Sequence, residues 1–200
     1  MPAEEMIIDR HLPEYQANVV ERLVVCAGPE ATLEAARGLD FMTVRTPLVD
    51  AAMWARALPD KLRGRQAPPR QRLRLADGDT LPGWLMLGTS KSEIAFGAVG
   101  KFWKSSIEWR DVDPGEFAGF DEPGWGKIAA NFAVQPYGDG RSLLTYECRT
   151  ATTDEASSRR FGPYWACVRP FVTHIMRATV ETIGTRLTQP EATRPMTSAR

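Results

Sequence analysis

An α+β architecture, a curved antiparallel sheet wrapped around one long C-terminal helix, follows from three features of the chain. Between Phe161 and Leu187 the positions Phe161, Trp165, Val168, Val172, Ile175, Met176, Thr179, Val180, Ile183 and Leu187 recur at intervals of three and four, the repeat of one helical face. From residue 84 to residue 152 the pattern changes to short β-branched and aromatic runs separated by Gly-, Asp- and Ser-containing turns. Ahead of these strands lie one apolar strand and two short segments with helix start and stop signals. At ~1.5 Å per residue, a helix from Pro163 to Leu187 runs roughly 37 Å, enough to cross a small sheet. The strands are its natural cover.

In chain order, residues 19–27 (VVERLVVCA) are apolar and β-branched and end at Gly28-Pro29, which suits a first strand stopped by a turn. Pro29 fits the first turn of a helix, so residues 30–37 read as a short helix ending at Gly38. A second helix is expected over 47–58, with Thr46 as cap and Leu48, Ala51, Ala52, Ala55 and Leu58 on one face. Residues 84–88 and 93–103 flank Thr89-Ser-Lys-Ser92 as a hairpin, and Gly97 and Gly100 suggest bulges or bends in its second strand. Residues 113–126 read as a long loop carrying Phe117, Phe120 and Trp125. Residues 127–135 alternate, with Ile128, Ala130, Phe132 and Val134 on a dry face and Lys127, Asn131 and Gln135 on a wet one. After the Tyr137-Gly-Asp-Gly140 turn, residues 143–152 form a strand that places Leu144, Tyr146 and Cys148 opposite Thr145, Glu147 and Arg149. Asp154 can cap the helix that follows, Gly162-Pro163 is expected to break or restart it, and Pro170 to kink it.

Length and charge narrow the functional classes. The 200 residues suit a single domain over 1–187 with a polar, two-proline tail at 188–200 that is expected to be disordered. Twenty-five basic and 25 acidic residues leave no net charge, so no global field attracts nucleic acid or an anionic membrane. The stretch 61–74, with Lys61, Arg63, Arg65, Arg70, Arg72 and Arg74, lacks interleaved aromatics and reads as a solvated connector rather than a phosphate-contacting loop. Cys26, Cys148 and Cys167 are scattered and odd in number, which argues against a disulfide framework. His11 and His174 are the only imidazoles, too few for a zinc site, and Cys167 is two helical turns from His174. Neither a metal nor a cofactor is expected. No run approaches the roughly 20 apolar residues of a membrane span, and the acidic start has no signal-peptide core, so a cytoplasmic protein is expected.

This order of elements, with Phe96-Gly-Ala-Val-Gly-Lys-Phe-Trp103, the Phe117-Ala-Gly-Phe120 loop with Pro123-Gly124, Tyr146-Glu-Cys-Arg-Thr150, and Phe161, Tyr164-Trp165 and Pro170, resembles the START-like (SRPBCC) superfamily. The likeness covers residues 17–187 and is nearest to an uncharacterised bacterial branch related to polyketide cyclase-like proteins. It implies a helix-grip fold with a cavity between sheet and terminal helix that receives a small apolar or amphipathic molecule, and it carries over no catalytic set.

Within that frame the candidate ligand-binding residues are Phe96, Phe132, Tyr146, Trp165, Val168, Val172 and His174, drawn from the helix face and the strands it should cross. Six tryptophans supply large contact areas with a polar edge. Three functional readings follow, the first as the main one and the other two as its alternatives. One is a carrier of a small apolar molecule. Another is a cyclase-like enzyme in which Tyr146, Glu147, Arg149 and His174 move protons. The last is an interaction module whose core is filled by its own aromatics. Glu147 and Arg149 lie on one strand face, read as outward or at a rim because Leu144, Tyr146 and Cys148 make the better core face. Trp109 and the 113–125 loop offer surfaces for a homodimer, and the sequence selects no oligomeric state.

Overall fold

The apolar alternation of the strands and the three-four repeat of the C-terminal segment are both realised in a computed structural model that describes residues 5–40, 83–104 and 106–188. The expected helix at 47–58 with Trp54, the basic stretch 61–74 and residues 189–200 lie outside the described residues. The elements are α1 (Ile7–His11), β1 (Ala17–Val25), α2 (Pro29–Arg37), β2 (Trp84–Thr89), β3 (Glu93–Lys101), β4 (Glu108–Arg110), β5 (Gly126–Pro136), β6 (Ser142–Thr152) and α3 (Glu155–Thr188). The described strands form one antiparallel sheet in the order β1-β6-β5-β3-β2, with β4 also paired to β3. Helices α2 and α3 pack on its inner face against Val19, Val25, Ile94, Phe96, Phe132, Val134, Leu144 and Tyr146. This is the helix-grip arrangement.

The outer face is also covered, which the sequence did not suggest. Helix α1, absent from the expected elements, places Ile7, Ile8 and Leu12 against Ala95, Val99, Ala129 and Ala151, together with Phe117 from the long loop. Alanines on that face leave room for the covering chain. The wet face expected for β5 is therefore dry over most of its length: Asn131 is fully buried, Lys127 is half-buried, and only Gln135 is exposed. The bulge lies in β2 between Met86 and Gly88 rather than at Gly97 or Gly100. Gly97 serves a close approach instead, since a Cβ there would stand 2.8 Å from the Ile128 carbonyl oxygen.

Helix α3 runs unbroken for 34 residues, roughly 50 Å, through both Pro163 and Pro170. Gly162-Pro163 neither breaks nor restarts it. Both prolines are exposed, as are Arg159 and Ala166, the residues whose carbonyls lose their amide partners to the prolines. Ile175 is a second departure: it is 37% exposed. A Cβ on Gly184 would meet Leu23 Cδ2 at 2.7 Å, so α3 approaches β1 closely there. The buried stripe then passes through Met176, Thr179, Val180 and Ile183, leaving Ile175 at its margin.

Asp154 caps α3 as expected. Its Oδ1 accepts the Ser157 N–H at 2.8 Å, and its Oδ2 accepts the Ser157 hydroxyl at 2.7 Å and the Gly124 N–H at 2.5 Å. The Ser157 hydroxyl, followed by the Gly124 and Ser157 amides, pulls its carboxyl down to about 2. Because this folded-state value lies below that of an unfolded Asp, about 3.9, the cap's contribution is present above pH ~4 and is lost as pH falls through ~2. Asp154→Asn is expected to lower the thermal midpoint at neutral pH and to flatten the fall in stability between pH ~4 and ~2, read from melts across that window. An unchanged acid limb would show that the cap does not couple to folding.

Candidate functional site

The aromatic residues of the inner face converge because the strand register brings them side by side. Phe132 on β5 lies opposite Tyr146 on β6 and Ile94 on β3. The Phe132 and Tyr146 rings stack with centroids 4.3 Å apart, and Phe96 stands 6.0 Å and 6.5 Å from them. Trp84 extends the group to β2, 5.7 Å from Phe96. From the helix, Trp165 stacks on Phe161 at 5.7 Å, and Trp165 and Val172 both pack against this core.

The seven expected ligand-binding residues thus fall into two groups. Phe96, Phe132 and Tyr146 are buried in the sheet's inner core; Phe132 has no exposed surface. Trp165, Val168, Val172 and His174 are half-buried on α3. Along the helix the buried positions are Ser157, Phe161, Met176, Ala178, Thr179, Val180, Ile183 and Gly184, while no residue from 162 to 175 is buried. The middle of α3 therefore presents an apolar edge that the sheet does not seal. Trp84 and Met86, not anticipated as ligand contacts, are half-buried on the sheet side of the same core. Their alternation in the first strand of the hairpin was the available signal.

Burial sets the chemistry of this face. It pushes the Tyr146 phenol up, with Cys148 adding to the effect, and pushes the Cys148 thiol up to about 12, with the Glu147 charge adding. Both are protonated at neutral pH, so neither offers a base or a thiolate.

Glu147 and Arg149 project from the other face of β6. The outward direction holds; the surface or rim exposure does not, because both are buried under the N-terminal segment. Arg149 Nε donates to Glu147 Oε1 at 2.7 Å, while its NH1 pairs with Asp9 at 2.7 Å and donates to the Leu12 carbonyl at 3.2 Å. Asn18 Nδ2 donates to Glu147 Oε1 at 3.1 Å, and the Tyr15 ring lies 4.9 Å from the guanidinium. Burial works against the Arg149 charge, but the bonds to Glu147 and Asp9 together outweigh it and raise its pKa. Tyr146 and Glu147 thus stand on opposite sides of the sheet, and the four residues named for proton transfer do not converge.

A second buried carboxylate acts in the same way. Glu93 accepts the N–H groups of Ile7 at 2.5 Å and Ile8 at 3.1 Å, and Asn131 Nδ2 at 2.6 Å. These polar groups hold α1 to the outer face. A lone Glu opening a strand reads in sequence as a solvated end, which is why Glu93 was not anticipated. A pocket of about 230 Å³ beside it is lined by Arg10, Ser92, Glu93 and Val134 among others. It is smaller than the usual ~300–1,000 Å³ of ligand sites, and none of its lining residues is aromatic. No helix among the described residues is long and apolar enough to cross a membrane.

No protein family matches the chain, and no curated protein matches it. Among solved structures it is similar to a Thermus thermophilus protein at 8% identity and a TM-score of 0.33, covering 86% of this chain and 97% of that one. It is also similar to a hypothetical protein of Helicobacter pylori at 14% identity and a TM-score of 0.37, covering 93% and 96%. A Streptomyces protein, the Zhui aromatase/cyclase, is similar at 12% identity and a TM-score of 0.28, covering 86% and 95%. Likenesses this low assign the chain to no family; its own topology establishes an α+β helix-grip domain.

Proposed function

We propose that this chain is a START-like (SRPBCC) domain that binds a small apolar or amphipathic molecule between the aromatic inner face of the sheet and the middle of α3. The observation that carries the reading is the half-buried apolar edge of α3, Trp165, Val168 and Val172, set over a core whose sheet side carries half-buried Trp84 and Met86. Phe96 and Phe132 back the site as floor, Tyr146 closes it toward β6, and His174 flanks it. Affinity comes from apolar burial at roughly 25 cal/mol per Å². With Tyr146 and Cys148 held neutral and Glu147 and Arg149 across the sheet, the geometry favours holding a molecule over transforming it.

Native mass spectrometry of freshly purified protein, with titration of the amphipathic probe 1-anilinonaphthalene-8-sulfonate, tests this. A copurifying small molecule or a saturable 1:1 probe complex is expected. Absence of both would mark the domain as an interaction module filled by its own side chains.

A further inference from the structure

Trp109 is a part-exposed tryptophan with a built seat. It lies on β4, a strand whose three residues are all exposed, and is itself 36% exposed. Its register partner on β3 is Gly100, which shares the inward-facing parity of Ile94 and Phe96, so the indole belongs to the ligand side of the sheet. Two glycines make room for it. A Cβ on Gly83 would stand 2.5 Å from the Trp109 Cβ, and one on Gly100 would stand 3.1 Å from Trp109 Cε3. The edge of Phe102 meets the ring at a centroid distance of 5.9 Å. Gly83 also has φ +83°, a conformation side-chain-bearing residues rarely adopt.

From this seat the aromatics continue inward without a gap. Trp109 lies 6.4 Å from Trp84, Trp84 lies 5.7 Å from Phe96, and Phe96 lies 6.0 Å from Phe132. Exposure falls along the same row, from part-exposed Trp109 through half-buried Trp84 to fully buried Phe132. An ordinary surface tryptophan needs no glycine seat. One that is seated against two glycines and Phe102, wet on one side and continuous with a buried aromatic row on the other suits contact with an amphipathic molecule.

We infer that Trp109 is the outer contact of the bound molecule, holding its wetter end at the β4 margin of the sheet while the apolar body lies inward over Trp84. This assignment rests on the carrier reading above and adds the direction in which the molecule lies. Three variants titrated with 1-anilinonaphthalene-8-sulfonate test it: Trp109→Ala, Trp109→Phe and Gly83→Ala, each with its thermal midpoint measured. Trp109→Ala is expected to weaken the probe about 3- to 10-fold, with Trp109→Phe within about twofold of wild type. Gly83→Ala, which keeps the indole but removes its seat, is expected to weaken it as well. Wild-type affinity in both Trp109→Ala and Gly83→Ala would overturn the assignment alone. A wild-type protein that binds no probe removes the carrier reading and this assignment with it.

Discussion

Glu93→Ala is expected to lower the stability of the domain by about 3 kcal/mol in urea denaturation, a large share of what a domain of this size possesses. The carboxylate is 3% exposed and satisfies two backbone N–H groups of α1 and the Asn131 amide. Alanine leaves those donors buried without acceptors, each costing roughly 1–3 kcal/mol, and the undocking of α1 relieves part of that cost. Glu93→Gln retains one acceptor oxygen but turns an amide donor toward the α1 N–H groups, so its loss is intermediate. Deleting residues 1–12 removes the same contacts from the other side. Its effect and that of Glu93→Ala are therefore expected to be strongly non-additive in a double-mutant cycle. A Glu93→Ala protein within about 0.5 kcal/mol of wild type would show that the Glu93 anchor of α1 contributes little to the fold.

Phe132→Ala is expected to cost about 3–5 kcal/mol, since the ring is fully buried and stacked on Tyr146 at 4.3 Å. The loss joins the transfer term of the missing ring to the void left beneath the helix. Phe132→Leu, closer in volume, is expected to cost under about 1.5 kcal/mol. The two variants also separate floor from contact. A residue with no accessible surface can change the shape of the site, but the smaller Leu change should leave probe affinity near wild type. A Phe132→Leu variant that keeps its stability yet loses the probe would place that ring in direct contact with the ligand.

The parts of the fold that were legible in the sequence are those whose periodicity runs for several repeats. The hairpin of β2 and β3, the alternation of β5 and β6, and the stripe along α3 each bury enough residues at fixed spacing to leave a pattern. Helix α1 has five residues, too few for a helical repeat to show. Its acceptor, Glu93, lies 86 residues away from Ile7, a distance over which no local pattern operates. Asn131 read as solvent-facing because polar residues usually are; its burial depends on that distant helix. Gly162-Pro163 read as a break because the local rule weighs only the lost hydrogen bond and the ring clash; helix α3 nevertheless runs through it, with Pro163 exposed. On the site, the choice of inner face on β6 follows from Leu144, Tyr146 and Cys148 alone. The burial of Glu147 and Arg149 on the opposite face does not, because it is the N-terminal segment that covers them.

The paired prolines of α3 have a dynamic consequence. Pro163 and Pro170 each withdraw one rung from the amide ladder seven residues apart, within the span where the rod has no fully buried residue. Local opening follows the weakest combination of hydrogen bonding and packing. Amide protons between the two prolines should therefore exchange with deuterium well before those from Met176 to Gly184, which are clamped against β1. The longest helix among the described residues is thus expected to act as two stiff segments joined by a looser one, and that looser stretch lies beside the face proposed for the guest.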